Sequence, residues 1–106
     1  MDNRSKTIIT FIRDTIRKSD PTAVIMLYGS RARGDFHDGS DWDVLVIVDT
    51  EKVTEKQFEE MNYNLWVAGL DQFNEQINVT IRTRTYWEDT RPNMFKINVK
   101  NDALIL

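Results

Sequence analysis

The chain has 106 residues, enough for a single domain spanning 1–106 with one modest core. Its 41% apolar and 29% charged residues exclude a disordered chain, and a formal charge of −3 lacks the basic excess of a bulk nucleic-acid binder. It has no cysteine, so disulfides and thiolate metal sites are excluded. No apolar run approaches the ~20 residues needed to span a bilayer. The first residues lack a signal-peptide pattern, so no membrane partner is expected and the expected location is the cytoplasm.

Ile8, Ile9, Phe11, Ile12 and Ile16 recur at helical spacing, which predicts an amphipathic helix over Asn3 to Ser19, stopped by Pro21. Ala23 to Tyr28 is a short apolar run between Pro21 and Gly29 and reads as a buried strand. A glycine-rich turn follows. Trp42 to Val48 is a second strand, apolar on both faces beyond Asp43, as a covered central strand would be.

Thr54, with Gln57 three residues on, forms a capping-box signature for the next helix. Phe58, Met61, Leu65 and Ala68 give that helix its stripe, and Gly69 suits its end. Ile77 to Thr83 alternates: Ile77, Val79 and Ile81 face one way, and Asn78, Thr80 and Arg82 the other. A further short helix begins near Tyr86, and Pro92 breaks or restarts it. The final "ALIL" fits either a helix end or a small strand. The order α-β-β-α-β-α gives an α/β or α+β class.

The chemistry concentrates between Leu27 and Asp49. Asp41 and Asp43 are two apart at the start of a strand, so both carboxylates share a face. Two such charges repel, and a cation relieves them. Hard oxygen donors without nearby histidine or cysteine partners favour Mg²⁺ or Mn²⁺. Gly29 lets the backbone approach a ligand without a Cβ in the way. Ser30 offers a hydroxyl and an N–H, and Arg31 and Arg33 add positive charge. A metal–nucleotide needs both kinds of group at once: donors for phosphate and carboxylates for metal.

A lone D-x-D is ordinarily a pair of surface charges. Here "GSRARG", Gly29 to Gly34, precedes "SDWD", Ser40 to Asp43, and an apolar strand. This pattern resembles the nucleotidyltransferase superfamily typified by DNA polymerase beta, and most closely its minimal members of MntA-like antitoxin type. The resemblance implies a small mixed sheet flanked by helices. It implies that Gly29 and Ser30, with Arg33 nearby, bind the phosphates of an NTP, expected to be ATP. It implies that Asp41 and Asp43 are the catalytic, metal-binding pair for Mg²⁺ (or Mn²⁺). The family carries a third carboxylate on the next strand, and in this chain Asn78 stands where that acid is expected. An amide ligates a cation through oxygen but is neither charged nor basic. Glu75 reaches such a site only if its loop folds inward.

Two functions follow. The first is transfer of a nucleoside monophosphate from an NTP to a hydroxyl. The chain is too small to carry its own acceptor module, so the acceptor is expected on a partner, of the helical HEPN-domain class found with small relatives in toxin–antitoxin pairs. The second is a degenerate nucleotide-binding or protein-binding module, favoured by the missing third acid. Transfer to a small molecule such as an aminoglycoside has less support, since no pocket for one is evident. His37 reads as a solvated loop residue and Arg84 as a surface residue, while Arg82 shares the face of Asn78. Trp42 faces away from the aspartates, into a core or an interface. Trp66 and Trp87 fit either a core or a partner surface.

Overall fold

A computed structural model describes all of residues 1–106. Helix α1 (Asn3–Ser19) is capped by Asp2, whose side chain accepts from the Ser5 N–H. Strand β1 (Val24–Tyr28) leads into one short turn of helix, α2 (Ser30–Arg33), and then β2 (Trp42–Val48). Helix α3 (Glu55–Phe73) begins with the expected capping box, in which Thr54 accepts from the Gln57 N–H and the Gln57 side chain accepts from the Thr54 N–H. Strand β3 (Ile77–Thr83), short helix α4 (Arg84–Glu88), helix α5 (Met94–Asp102) and strand β4 (Leu104–Ile105) complete the chain.

The four strands form one mixed sheet in the order β3-β2-β1-β4. β1 pairs antiparallel with β2 and β4, while β2 and β3, joined through α3, are parallel. The terminal "ALIL" therefore adds an edge strand.

The sheet is covered unevenly on its two faces. On one, Ile8, Ile12 and Ile16 of α1 and Met61 and Leu65 of α3 pack on Ile25, Leu27, Trp42, Val44, Val46, Ile77 and Ile81. Each such fully buried side chain contributes on the order of 1.5–3 kcal/mol. On the other face, Met26, Leu45 and Ile47 meet Val99 of α5, with Tyr28, Trp87 and Phe95 at the margin. β2 is thus the central strand that its two apolar faces predicted.

Two details of α3 differ from the expectation. The helix runs past Gly69 and ends at Asn74, which caps it in the left-handed conformation at φ 54°. Gly69 serves packing instead: a Cβ there would lie 2.7 Å from Ile77 Cδ1. Phe58, placed in the buried stripe by its spacing, is exposed. It lines a cleft on the outer face of α3 with Tyr63, Trp66 and Val67, so Trp66 belongs to the surface. No helix is long and apolar enough to cross a membrane.

Candidate nucleotide and metal site

The open part of the second face, beyond the cover of α5, carries the polar groups. β1 ends in Gly29, which adopts φ 76° and ψ −160°, a conformation open essentially to glycine alone. Its carbonyl accepts from the Ala32 and Arg33 N–H groups, which starts α2. Gly34 closes α2 in the left-handed conformation, its N–H donating to the Ser30 carbonyl. The loop back to β2 is tied by the His37 N–H donating to Ser40 Oγ and the Ser40 N–H donating to the His37 carbonyl, each at 3.0 Å. His37 is exposed and serves this loop.

Strand register then sets the aspartates beside the turn. Tyr28 pairs with Asp43 across β1–β2, so the Asp43 carboxylate lies against Gly29. A Cβ on Gly29 would stand 2.6 Å from Asp43 Oδ2. The glycine therefore has two roles: it makes the turn and leaves room for the carboxylate. Across β2–β3, Asp43 pairs with Asn78. Asn78 Nδ2 donates to Asp41 Oδ2 at 3.0 Å and lies 3.5 Å from Asp43 Oδ1. One amide nitrogen thus bridges two carboxylates. Its orientation is supported by Gln76, whose Nε2 donates to Asn78 Oδ1 at 3.1 Å.

Burial pushes the Asp43 carboxyl above its usual range, and the nearby Asp41 charge adds to this, while the Asn78 hydrogen bond and Arg33 oppose it. Tyr28, on the same face, is also pushed up by burial, and its hydroxyl lies 3.4 Å from Thr80 Oγ1.

The two arginines of the turn have separate fates. Arg31 is buried on the opposite side, between the rings of Phe36 and Trp42. Its Nη2 pairs with Glu75 at 3.4 Å, and Nε and Nη2 donate to the Ser40 carbonyl. Glu75 is buried too and pairs with Arg4 of α1. The Glu75 loop does fold inward, but toward these arginines and away from the aspartates. Sequence alone grouped Arg31 with Arg33 as positive charge at the turn; the structure turns it inward, because its acidic partner Glu75 lies 44 residues along the chain, and the aromatic residues at 36 and 42 were the available signal. Arg33 stays half-exposed beside the turn, held by Asp35 at 3.1 Å and by Asp102 of α5 at 2.7 Å.

The remaining polar candidates fall outside the centre. Arg82 shares the Asn78 face but lies four residues on, about 13 Å along the strand. It rests over the rings of Tyr86 and Phe95. Arg84 pairs with Asp49 on the surface at 3.3 Å. Trp42 is buried, facing away from the aspartates as alternation predicted.

The donor set suits a hard divalent cation. Mg²⁺ keeps several waters and is commonly held by one or two carboxylates together with substrate phosphates. Asp41 and Asp43 supply the two carboxylates, and rotation of the Asn78 amide would add a neutral oxygen. No group of three acidic, histidine or cysteine side chains is placed to hold a metal ion.

Comparison with known proteins agrees with this fold. The family model described as Nucleotidyltransferase domain matches residues 9–106. No curated protein matches the chain. Among solved structures, a toxin–antitoxin crystallised with AMP-PNP is similar at 18% identity and a TM-score of 0.60, over 95% of this chain and 70% of that one. A double aspartate-to-glutamate mutant of the toxin–antitoxin MntA-HpeT is similar at 16% identity and a TM-score of 0.59, with the same coverage. A nucleotidyltransferase structure from Sulfolobus solfataricus is similar at 15% identity and a TM-score of 0.54, over 99% of this chain and 87% of that one.

Proposed function

The chain belongs to the nucleotidyltransferase domain family, and from that premise we propose that it transfers a nucleoside monophosphate from Mg²⁺-bound ATP to a hydroxyl on a partner protein. The observation that carries this reading is the contact between Gly29 and Asp43. It brings a turn fit for phosphates and a carboxylate pair fit for a cation to one spot.

In this reading Gly29 and Ser30 receive the distal phosphates, and Asp41 and Asp43 hold the cation that accompanies them. That cation would neutralise charge on the phosphate oxygens and orient the departing pyrophosphate. The acceptor oxygen forms a bond to the α-phosphorus, the bond from that phosphorus to the pyrophosphate oxygen breaks, and the acceptor proton passes to solvent. Ser30 positions phosphate and is no covalent nucleophile, since no histidine or lysine in the motif is available to activate it. The acceptor-bearing partner is of the HEPN class that the motif resemblance implies. Support for a protein acceptor comes from the toxin–antitoxin neighbours.

One observation favours a second reading, a nucleotide-binding module without efficient transfer. Asn78 faces the aspartate pair with an amide nitrogen, and no third acid accompanies it. The experiment that separates the two is release of pyrophosphate from ATP with Mg²⁺, the partner present, followed by mass spectrometry of the partner. A nucleotidyl mass increment on the partner supports transfer. ATP binding without pyrophosphate release, partner present, supports the binding module.

A further inference from the structure

Asp43 sits within the sheet, paired with Tyr28 on one side and Asn78 on the other. Asp41 precedes β2 and has no ladder partner. Its backbone is fixed instead by the peptides on either side of it. The Trp42 N–H donates to the Gln76 carbonyl at 2.9 Å. The Ser40 carbonyl accepts from Arg31, through Nε at 3.2 Å and Nη2 at 3.1 Å. We propose that Arg31 is a positioning residue for the site: it holds Asp41 at a set distance from the phosphate turn, so that cation and phosphate bind together. The role rests on the nucleotide and metal reading above and deepens it.

Chain position is the first support. Arg31 follows Ser30 in α2, and the carbonyl it holds belongs to the peptide bond that enters Asp41. No backbone hydrogen bond joins α2 to residues 35–41, so the guanidinium is the tie between the turn and Asp41. The same Nη2 reaches Glu75 at 3.4 Å, just ahead of β3. One planar group thereby gathers the ends of β1, β2 and β3, where Ser30, Asp41 and Asn78 stand.

Chemistry is the second. Arg31 and Glu75 are only 7% and 8% exposed. A buried ion pair adds little net stability over apolar side chains of similar volume. What it supplies here is fixed geometry. The rings of Phe36 and Trp42, 4.3 and 4.7 Å from Arg31 Cζ, set the plane of the guanidinium, and its fork then meets Ser40 and Glu75 at once. Groups that hold a metal ligand from behind commonly matter by about 10–100-fold in metal affinity.

The test titrates ATP calorimetrically into the full chain, once in chelator and once in Mg²⁺, and reads the gain in affinity that Mg²⁺ brings. Wild type is compared with the double variant Arg31→Met, Glu75→Gln, which removes both buried charges together and strands neither. The gain is expected to fall about tenfold, with the affinity in chelator unchanged and the melt still cooperative. A merely loosened fold lowers both affinities alike, so an equal fall in the two media overturns the proposal. An unchanged gain overturns it too, and leaves the metal reading standing. Where the double variant fails to melt cooperatively, Arg31→Lys decides: it keeps a buried charge beside Glu75 but has no planar fork. Its gain is expected to fall about fivefold, the low end of coupling between two sites, and an unchanged gain there overturns the proposal. A wild type that gains nothing from Mg²⁺ sinks the metal reading and this role with it.

Discussion

Asn78 faces Asp43 across the parallel β2–β3 ladder and donates to Asp41 Oδ2 at 3.0 Å. An amide hydrogen thus occupies the position next to two carboxylates where a cation would be most attracted. Asn78→Asp replaces that donor by a third charge. A carboxylate about 4 Å from another charge interacts by about 4 kcal/mol per unit charge at an effective dielectric of about 20. The variant should melt lower than wild type in chelator and recover in Mg²⁺. Its Mn²⁺ affinity and its pyrophosphate release should exceed those of wild type. Thr80→Asp is the control: Thr80 pairs with Leu45 and touches Tyr28, beyond the aspartates. Wild-type Mn²⁺ affinity and rate in Asn78→Asp would remove Asn78 from the third-ligand position.

Gly29→Ala should act on both halves of the site. The backbone conformation at φ 76° and ψ −160° resists any Cβ, at a cost of about 1–3 kcal/mol. The new methyl also displaces Asp43 Oδ2, 2.6 Å from its position. Denaturant melts should show lost stability, and Mg²⁺-nucleotide affinity should fall further than that loss explains. An alanine variant with wild-type affinity would show that the turn and Asp43 act independently.

The site was more legible in the sequence than its surroundings were. Period-two alternation and the glycine–serine turn located the aspartates, and the same alternation placed Asn78 on their face. Local pattern could not show that Arg31 turns inward, because Glu75 and Ser40 are brought to it by the fold. Nor could it distinguish a glycine that ends a helix from one that makes room: Gly69 does the second, against Ile77. The edge strand at Leu104–Ile105 depends on its pairing with Met26 and Leu27, a long-range fact.

Glu75→Ala should be among the most destabilising single changes. It strands the buried Arg31 guanidinium and frees Arg4, and breaking a buried pair costs about 3–5 kcal/mol. Urea unfolding checks it. A loss under about 1 kcal/mol would mean that Phe36, Trp42 and the Ser40 carbonyl suffice to hold Arg31.

The raised pKa of Asp43 has a consequence for stability against pH. The folded chain releases that proton at higher pH than the unfolded chain, whose carboxyl titrates near 3.8. Below 3.8 both states are protonated and the group has no effect. As pH rises through that value and the raised folded one, the folded state is progressively disfavoured. Asp43→Asn removes this penalty. In chelator the variant should melt higher than wild type at neutral pH, with the difference closing as pH falls below the unfolded value. A difference that persists at low pH would assign the effect to something other than ionisation.

The most direct measurement of the central claim is calorimetry of Mg²⁺-ATP binding to the double variant Asp41→Asn, Asp43→Asn. Both side chains are only partly buried at the start of β2, so the melt should remain cooperative. The account predicts that the Mg²⁺-dependent part of the affinity disappears while the fold persists. Unchanged Mg²⁺-ATP affinity in a folded double variant would contradict it.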